Sequence, residues 1–174
     1  MQDPKSPASI APSSDDVVCY GTAFIVESGA DWAHVEQPLP ANRPQFGSAG
    51  FDSSFLSNCI RLLISIKSQP TEKWGDIVKQ VAGMDHRSAI AVHVHACSAS
   101  IRDLLATMTE DQAADLGAQL YRWRRGTTAA AHKDERQDRS VTIVKSLSIL
   151  AKQARDSNLQ LALRVEYRRR GNLS

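Results

Sequence analysis

The sequence is short of the features that announce a chemistry. Its three cysteines, Cys19, Cys59 and Cys97, are odd in number and follow no spacing motif. That excludes a disulfide framework and reads as free buried thiols in a reducing compartment. No apolar run reaches the roughly 18 residues a membrane-spanning helix needs. The nearest approach, from Phe55 to Ile66, is broken by Ser57, Asn58 and Arg61. The opening Met-Gln-Asp-Pro-Lys-Ser-Pro has no basic segment followed by an apolar one, so it does not read as a secretory signal. A cytoplasmic location without a membrane partner is the expectation.

Catalytic signatures are missing as well. There is no Gly-x-Ser-x-Gly elbow, no Walker loop and no Gly-x-Gly-x-x-Gly. The stretch Gly21 to Val26 (GTAFIV) is similar to the strand before the catalytic histidine of trypsin-like proteases. No Ala-His-Cys follows it and no Gly-Asp-Ser-Gly occurs, which excludes that family. The acid pair Asp15-Asp16 falls in the N-terminal tail. Glu110-Asp111 falls in a helix's first turn, where acids stabilise the dipole.

What is present fits a folded chain. Its 174 residues are 42% hydrophobic and 23% charged, enough to bury a core without a metal or disulfide staple. Residues 1–16 are rich in Pro, Ser and Asp and are expected to be a disordered tail. Residues 17–174 are expected to form a single globular domain. Pro38, Pro40, Pro44 and the glycines 29, 47 and 50 predict a long irregular loop over 28–50.

The periodicities predict a mainly α (α+β) protein, a bundle of about five helices with a small sheet. Helices are expected at about 53–68, 72–82, 86–108, 109–125 and 136–156. In the third, Ile90, Val94, Cys97, Ile101 and Leu105 fall on one helical line, and Asp85 is a good cap. The fourth opens with the capping pattern Thr109-x-x-Gln112. Two strands remain: the β-branched, aromatic 17–26, and 159–167, where Leu159, Leu161, Leu163, Val165 and Tyr167 alternate with polar residues. These two strands are expected to pair.

Three signals bear on function. Residues 1–97 carry 7 Lys/Arg against 10 Asp/Glu, whereas residues 98–174 carry 14 against 9. The excess gathers in two basic-aromatic clusters: Tyr121, Arg122, Trp123, Arg124, Arg125, and Tyr167, Arg168, Arg169, Arg170. Arginine grips phosphate and aromatic rings stack on bases, so these residues are candidates for a nucleic-acid interface. Trp32 and Phe46, in the 28–50 segment, are candidates for contact with a protein partner. His86, His93 and Cys97 share one face if 86–108 is helical, which makes them candidate zinc ligands. The short Val92-His93-Val94-His95 is also similar to the His-x-His of amidohydrolase metal barrels. The Asp that usually precedes the pair is absent, and 79 residues after His95 are too few for such a barrel. The leading expectation is a small non-catalytic interaction protein: a regulator, an inhibitor or immunity-type protein, or an assembly subunit. Its partner is a protein, another copy of itself included. Nucleic-acid binding comes second and a zinc-dependent protein third.

Overall fold

The computed structural model describes residues 17–27, 42–67, 78–84, 91–125 and 135–169. The expected tail 1–16, Trp32, His86 and Arg170 lie outside them. The chain runs β1 (Val17–Val26), β2 (Gln45–Ala49), α1 (Ser53–Lys67), β3 (Val78–Met84), β4 (Ala91–Cys97), α2 (Ala99–Ala106), α3 (Glu110–Arg125), α4 (Glu135–Asp156) and β5 (Gln160–Arg169). The five strands form one antiparallel sheet in the order β2-β1-β5-β4-β3.

This is an α+β fold, and the expected five-helix bundle is overturned. The anticipated partners β1 and β5 do pair, from Val17 opposite Arg169 to Val26 opposite Gln160. They are the middle of a sheet, however, not a two-stranded appendage. Among the described residues there are four helices. Within the single helix expected over 86–108, the described residues form a strand followed by a short helix. Of the helix expected over 72–82, residues 72–77 lie outside the described ones, and the rest belongs to β3, an edge strand whose register shifts between Gln80 and Ala82.

The physical reason is clearest in β4. It lies between β5 and β3, and both its faces are covered: Val92, Val94 and Ala96 are buried on one, His95 and Cys97 on the other. A strand buried on both sides has no wet face to alternate with, so its sequence reads as a continuous apolar run. Ladder bonds to two neighbours, together with that burial, outweigh the helix propensity of Ala91 and Ala96. Ser98 then caps α2 by accepting the Ile101 N–H.

The 28–50 segment is corrected too, because its second part is β2. Gly47 there makes room for an aromatic ring instead of breaking the strand: a Cβ on it would lie 2.6 Å from the Tyr20 hydroxyl. Tyr20 of β1 therefore lies across the glycine of its neighbour.

Local chemistry sets the helix ends as the sequence suggests. Thr109 and Gln112 bond reciprocally, N–H to side-chain oxygen at 3.1 and 3.2 Å, and open α3. At the end of α4, Asn158 takes a left-handed φ of 53°. Leu159 N–H reaches back to Ala154 O at 2.7 Å and Asn158 N–H to Arg155 O at 3.0 Å, a Schellman stop that delivers the chain into β5.

The core lies between the helices and one face of the sheet. Ala23 and Ile25 of β1 and Leu161, Leu163 and Val165 of β5 meet Phe55, Ile60, Leu105, Leu116 and Leu147 there. Helices α3 and α4 touch at Gly117, where a Cβ would lie 2.5 Å from Val141 Cα.

Candidate anion-binding end

Several elements come together at one end of the sheet. Val18 of β1 is level with Arg168, and Tyr20 is level with Glu166 on one side and Ala49 of β2 on the other. After Ala49 the chain turns at Gly50, whose φ of 75° is left-handed and whose N–H donates to the Cys19 carbonyl at 3.0 Å. Asp52 then caps α1, its Oδ1 accepting the Phe55 N–H at 2.7 Å. This turn fixes where β2 ends and where α1 begins.

The helical layer brings a second set of side chains to the same turn. Tyr121, from the last turns of α3, and Arg136 and Arg139, from the first turns of α4, line a cavity of about 380 Å³ with Ala49 and Gly50. Phe55 and Ile143, both buried in the core, also border it. Ser140 also lines it, with its hydroxyl donating to the Arg136 carbonyl at 3.1 Å. On the opposite side of Ala49 is a second cavity, of about 500 Å³, bounded by Val18, Tyr20, Thr22, Glu166 and Arg168.

The second cavity carries a ladder of charge. Residues 164, 166 and 168 share the face of β5 turned away from the helices. Glu166 accepts from Arg164 on one side and from Arg168 Nη2, at 2.6 Å, on the other. Burial alone would raise the Glu166 pKa, but bonds from the two guanidinium groups outweigh it and hold the carboxyl below its usual range. Glu166 thus stays ionised between two cations, and the ladder keeps a net positive charge.

The sequence clusters only partly survive folding. Residues 121–125 are contiguous in a helix, where each step turns about 100°, so they cannot share a face. Tyr121 lines the first cavity, whereas Trp123 is 60% exposed elsewhere on the helix. Arg122 folds back to bond the Ala118 carbonyl at 3.4 Å. The backbones of Arg124 and Arg125 end α3 and that of Arg169 ends β5; their side chains lie outside the described ones. Phe46 is half-buried and packs against the core, which gives it a structural place. Arg136 and Arg139 went unread. The available signal was two arginines three residues apart in the first turns of a helix, where the dipole disfavours cations.

The zinc candidates do not converge as expected. His93 and Cys97 lie on an extended strand, where four residues span about 13 Å, not the single turn of a helix. Cys97 is buried beside Cys59, and burial pushes both thiols up to about 12. His93 meets Tyr167 edge to face, with ring centroids 5.5 Å apart. The Tyr167 hydroxyl is raised by burial and by Asp52 and lowered by its hydrogen bond with Ser53. Among the described residues, no group of three or more His, Cys, Asp or Glu side chains is placed to hold a metal ion. No helix among them is long and apolar enough to cross a membrane.

No protein-family model, no characterised protein and no solved structure matches this chain, so a functional reading rests on these residues alone.

Proposed function

We propose that this chain is a non-catalytic binding protein that engages single-stranded nucleic acid through the end built around Ala49 and Gly50. One observation carries the reading. Arg136, Arg139 and Arg168, with Tyr20 and Tyr121, come from segments far apart in sequence and line two cavities that share Ala49. Guanidinium forks bind phosphate with charge and matched geometry. Tyrosine faces accept bases of any sequence, and Tyr20 is 49% exposed. Among the described residues of the two linings the one carboxylate, Glu166, is already held by two arginines.

Fluorescence anisotropy with labelled single strands of about 12 nucleotides tests it. Affinity is expected to fall steeply as salt rises, because each phosphate contact releases counterions. Arg136→Glu with Arg139→Glu is expected to abolish binding at an unchanged melting temperature. Absence of binding to both DNA and RNA strands at low salt would overturn the reading.

A protein partner is the second reading. Among the described residues β2 pairs only with β1, so its outer edge is open to a strand from another chain. Size-exclusion chromatography with light scattering separates the two readings. A nucleic-acid-rich peak that salt strips favours the first, and a nucleic-acid-free mass above one chain favours the second, with another copy as the partner.

A further inference from the structure

We infer that Gly47 is a positioning residue for nucleic-acid binding: it seats the Tyr20 ring across β2 as the stacking platform for a base, with the adjoining phosphate on Arg168. The choice of a base as ligand rests on the function proposed above; the seat of the ring on Gly47 does not.

The strand register puts the ring there. Thr22 of β1 is level with Gly47 and Tyr20 with Ala49, so β2 turns Gln45, Gly47 and Ala49 to the face that carries Tyr20. Of these three positions only 47 has no side chain. Tyr20 leans across it: a Cβ on Gly47 would lie 2.6 Å from the hydroxyl oxygen, 2.8 Å from Cε1 and 3.0 Å from Cζ. Any larger residue there would push the ring away. The ring is thus seated on backbone before a ligand arrives, and little of its freedom remains to be lost on binding. About half of Tyr20 stays open, at 49% exposure.

The cavity of about 500 Å³ beside the ring completes the unit, within the roughly 300–1,000 Å³ typical of small-molecule sites. Tyr20 stands on its β2 side, Glu166 and Arg168 stand on its β5 side, and Val18 and Thr22 lie between. The two contacts that a nucleotide unit needs therefore face each other: an aromatic ring for the base and a guanidinium for the phosphate. The Arg168 side chain is 51% exposed and donates to Glu166 through Nε and Nη2, a pairing that holds the guanidinium in place. Every base has a face that can stack, so the platform holds a base without reading it.

Fluorescence anisotropy on the full chain tests this, with a labelled strand of about 12 thymidines and an abasic strand of the same length and charge. The chain is expected to prefer the base-bearing strand by roughly tenfold. Tyr20→Leu, which keeps a side chain over the glycine, and Gly47→Ala, which displaces the ring, are each expected to remove most of that preference. Neither is expected to change the salt dependence, because no phosphate contact is lost. Tyr20→Phe is expected to keep the preference, and the double variant to lose no more than Tyr20→Leu alone. Melting temperatures check that each variant is folded. Photocrosslinking of a 5-bromouracil strand, read by mass spectrometry, locates the base without any variant, and Tyr20 is the expected residue. Equal affinity of the unaltered chain for the two strands, a preference that survives in Tyr20→Leu, or a crosslink map that omits Tyr20 would overturn the platform and leave the proposed function standing. A preference lost in Tyr20→Leu but kept in folded Gly47→Ala would overturn the role of the glycine. Absence of binding to either strand by the unaltered chain would overturn the proposed function itself.

Discussion

On the helical face of the sheet, Ala23 and Ile25 of β1 and Leu161, Leu163 and Val165 of β5 are buried. On the opposite face the same strands change character along their length. Phe24 and Ala162 are buried at one end, and within a few residues the face turns to Thr22 and Tyr20 on β1 and to Arg164, Glu166 and Arg168 on β5. A buried apolar stretch of this kind serves stability. A face that grades from apolar to charged has one end left for something other than packing. Substitutions on the two faces should therefore be read out by different measurements.

The largest expected effect is on the helical face. Leu163→Ala is expected to lower unfolding free energy by about 2–5 kcal/mol, through lost burial and the cavity left behind. Arg168→Ala, whose side chain is 51% exposed, is expected to change it by no more than about 1 kcal/mol while weakening strand binding. Urea unfolding of both variants checks this. An equal loss in the two would break the comparison and make the charged end part of the scaffold.

Next comes His95, a buried polar residue on the helical face. It is 8% exposed, and its Nε2 has no hydrogen-bond partner among the described residues. Burial, helped by His93, lowers its pKa from the ordinary 6.5. The unfolded chain therefore takes up a proton at a higher pH than the folded one. Stability is expected to be intact above 6.5 and to fall as pH drops below it, until the folded pKa is passed. Unfolding curves at neutral pH and at about pH 5.5 should show this loss, and His95→Phe should remove it.

The smallest effect is expected from Glu166→Gln. Its carboxyl is held below the usual 4.5, so its contribution is present above that value and is lost as pH falls beneath it, a window separate from that of His95. At neutral pH the variant is expected to lose little stability and to gain affinity for anionic strands, because two arginines lose their shared counter-charge. A fall in affinity would place Glu166 among the groups that orient the ligand.

The sequence disclosed those elements whose surroundings differ from one side to the other. β5 alternates because one face meets the helices and the other carries Arg164, Glu166 and Arg168. Helices α1 and α4 show their stripes for the same reason, and Thr109–Gln112 is a local motif that needs no tertiary help. β4 hid itself because both faces are buried, and β3 is set by pairing with it. The site was scattered in a similar way. Arg122, Arg124 and Arg125 follow one another along a helix whose steps turn about 100° each, whereas Arg136 and Arg139 meet Tyr121 because α3 and α4 cross closely at Gly117. Convergence of that kind is a property of the packing and leaves no mark on spacing.

The strand order also bears on how the protein is made. β5 follows every other element in the chain yet lies between β1 and β4. Until residue 160 has left the ribosome, the growing chain holds two separate strand pairs, β1–β2 and β3–β4, each with an edge awaiting the same partner. Two-stranded ribbons are marginal alone, and their open edges are templates for pairing with other chains. Ten residues, Gln160–Arg169, therefore act as a latch: synthesis that stops short of them should yield an aggregating product, not a smaller folded one.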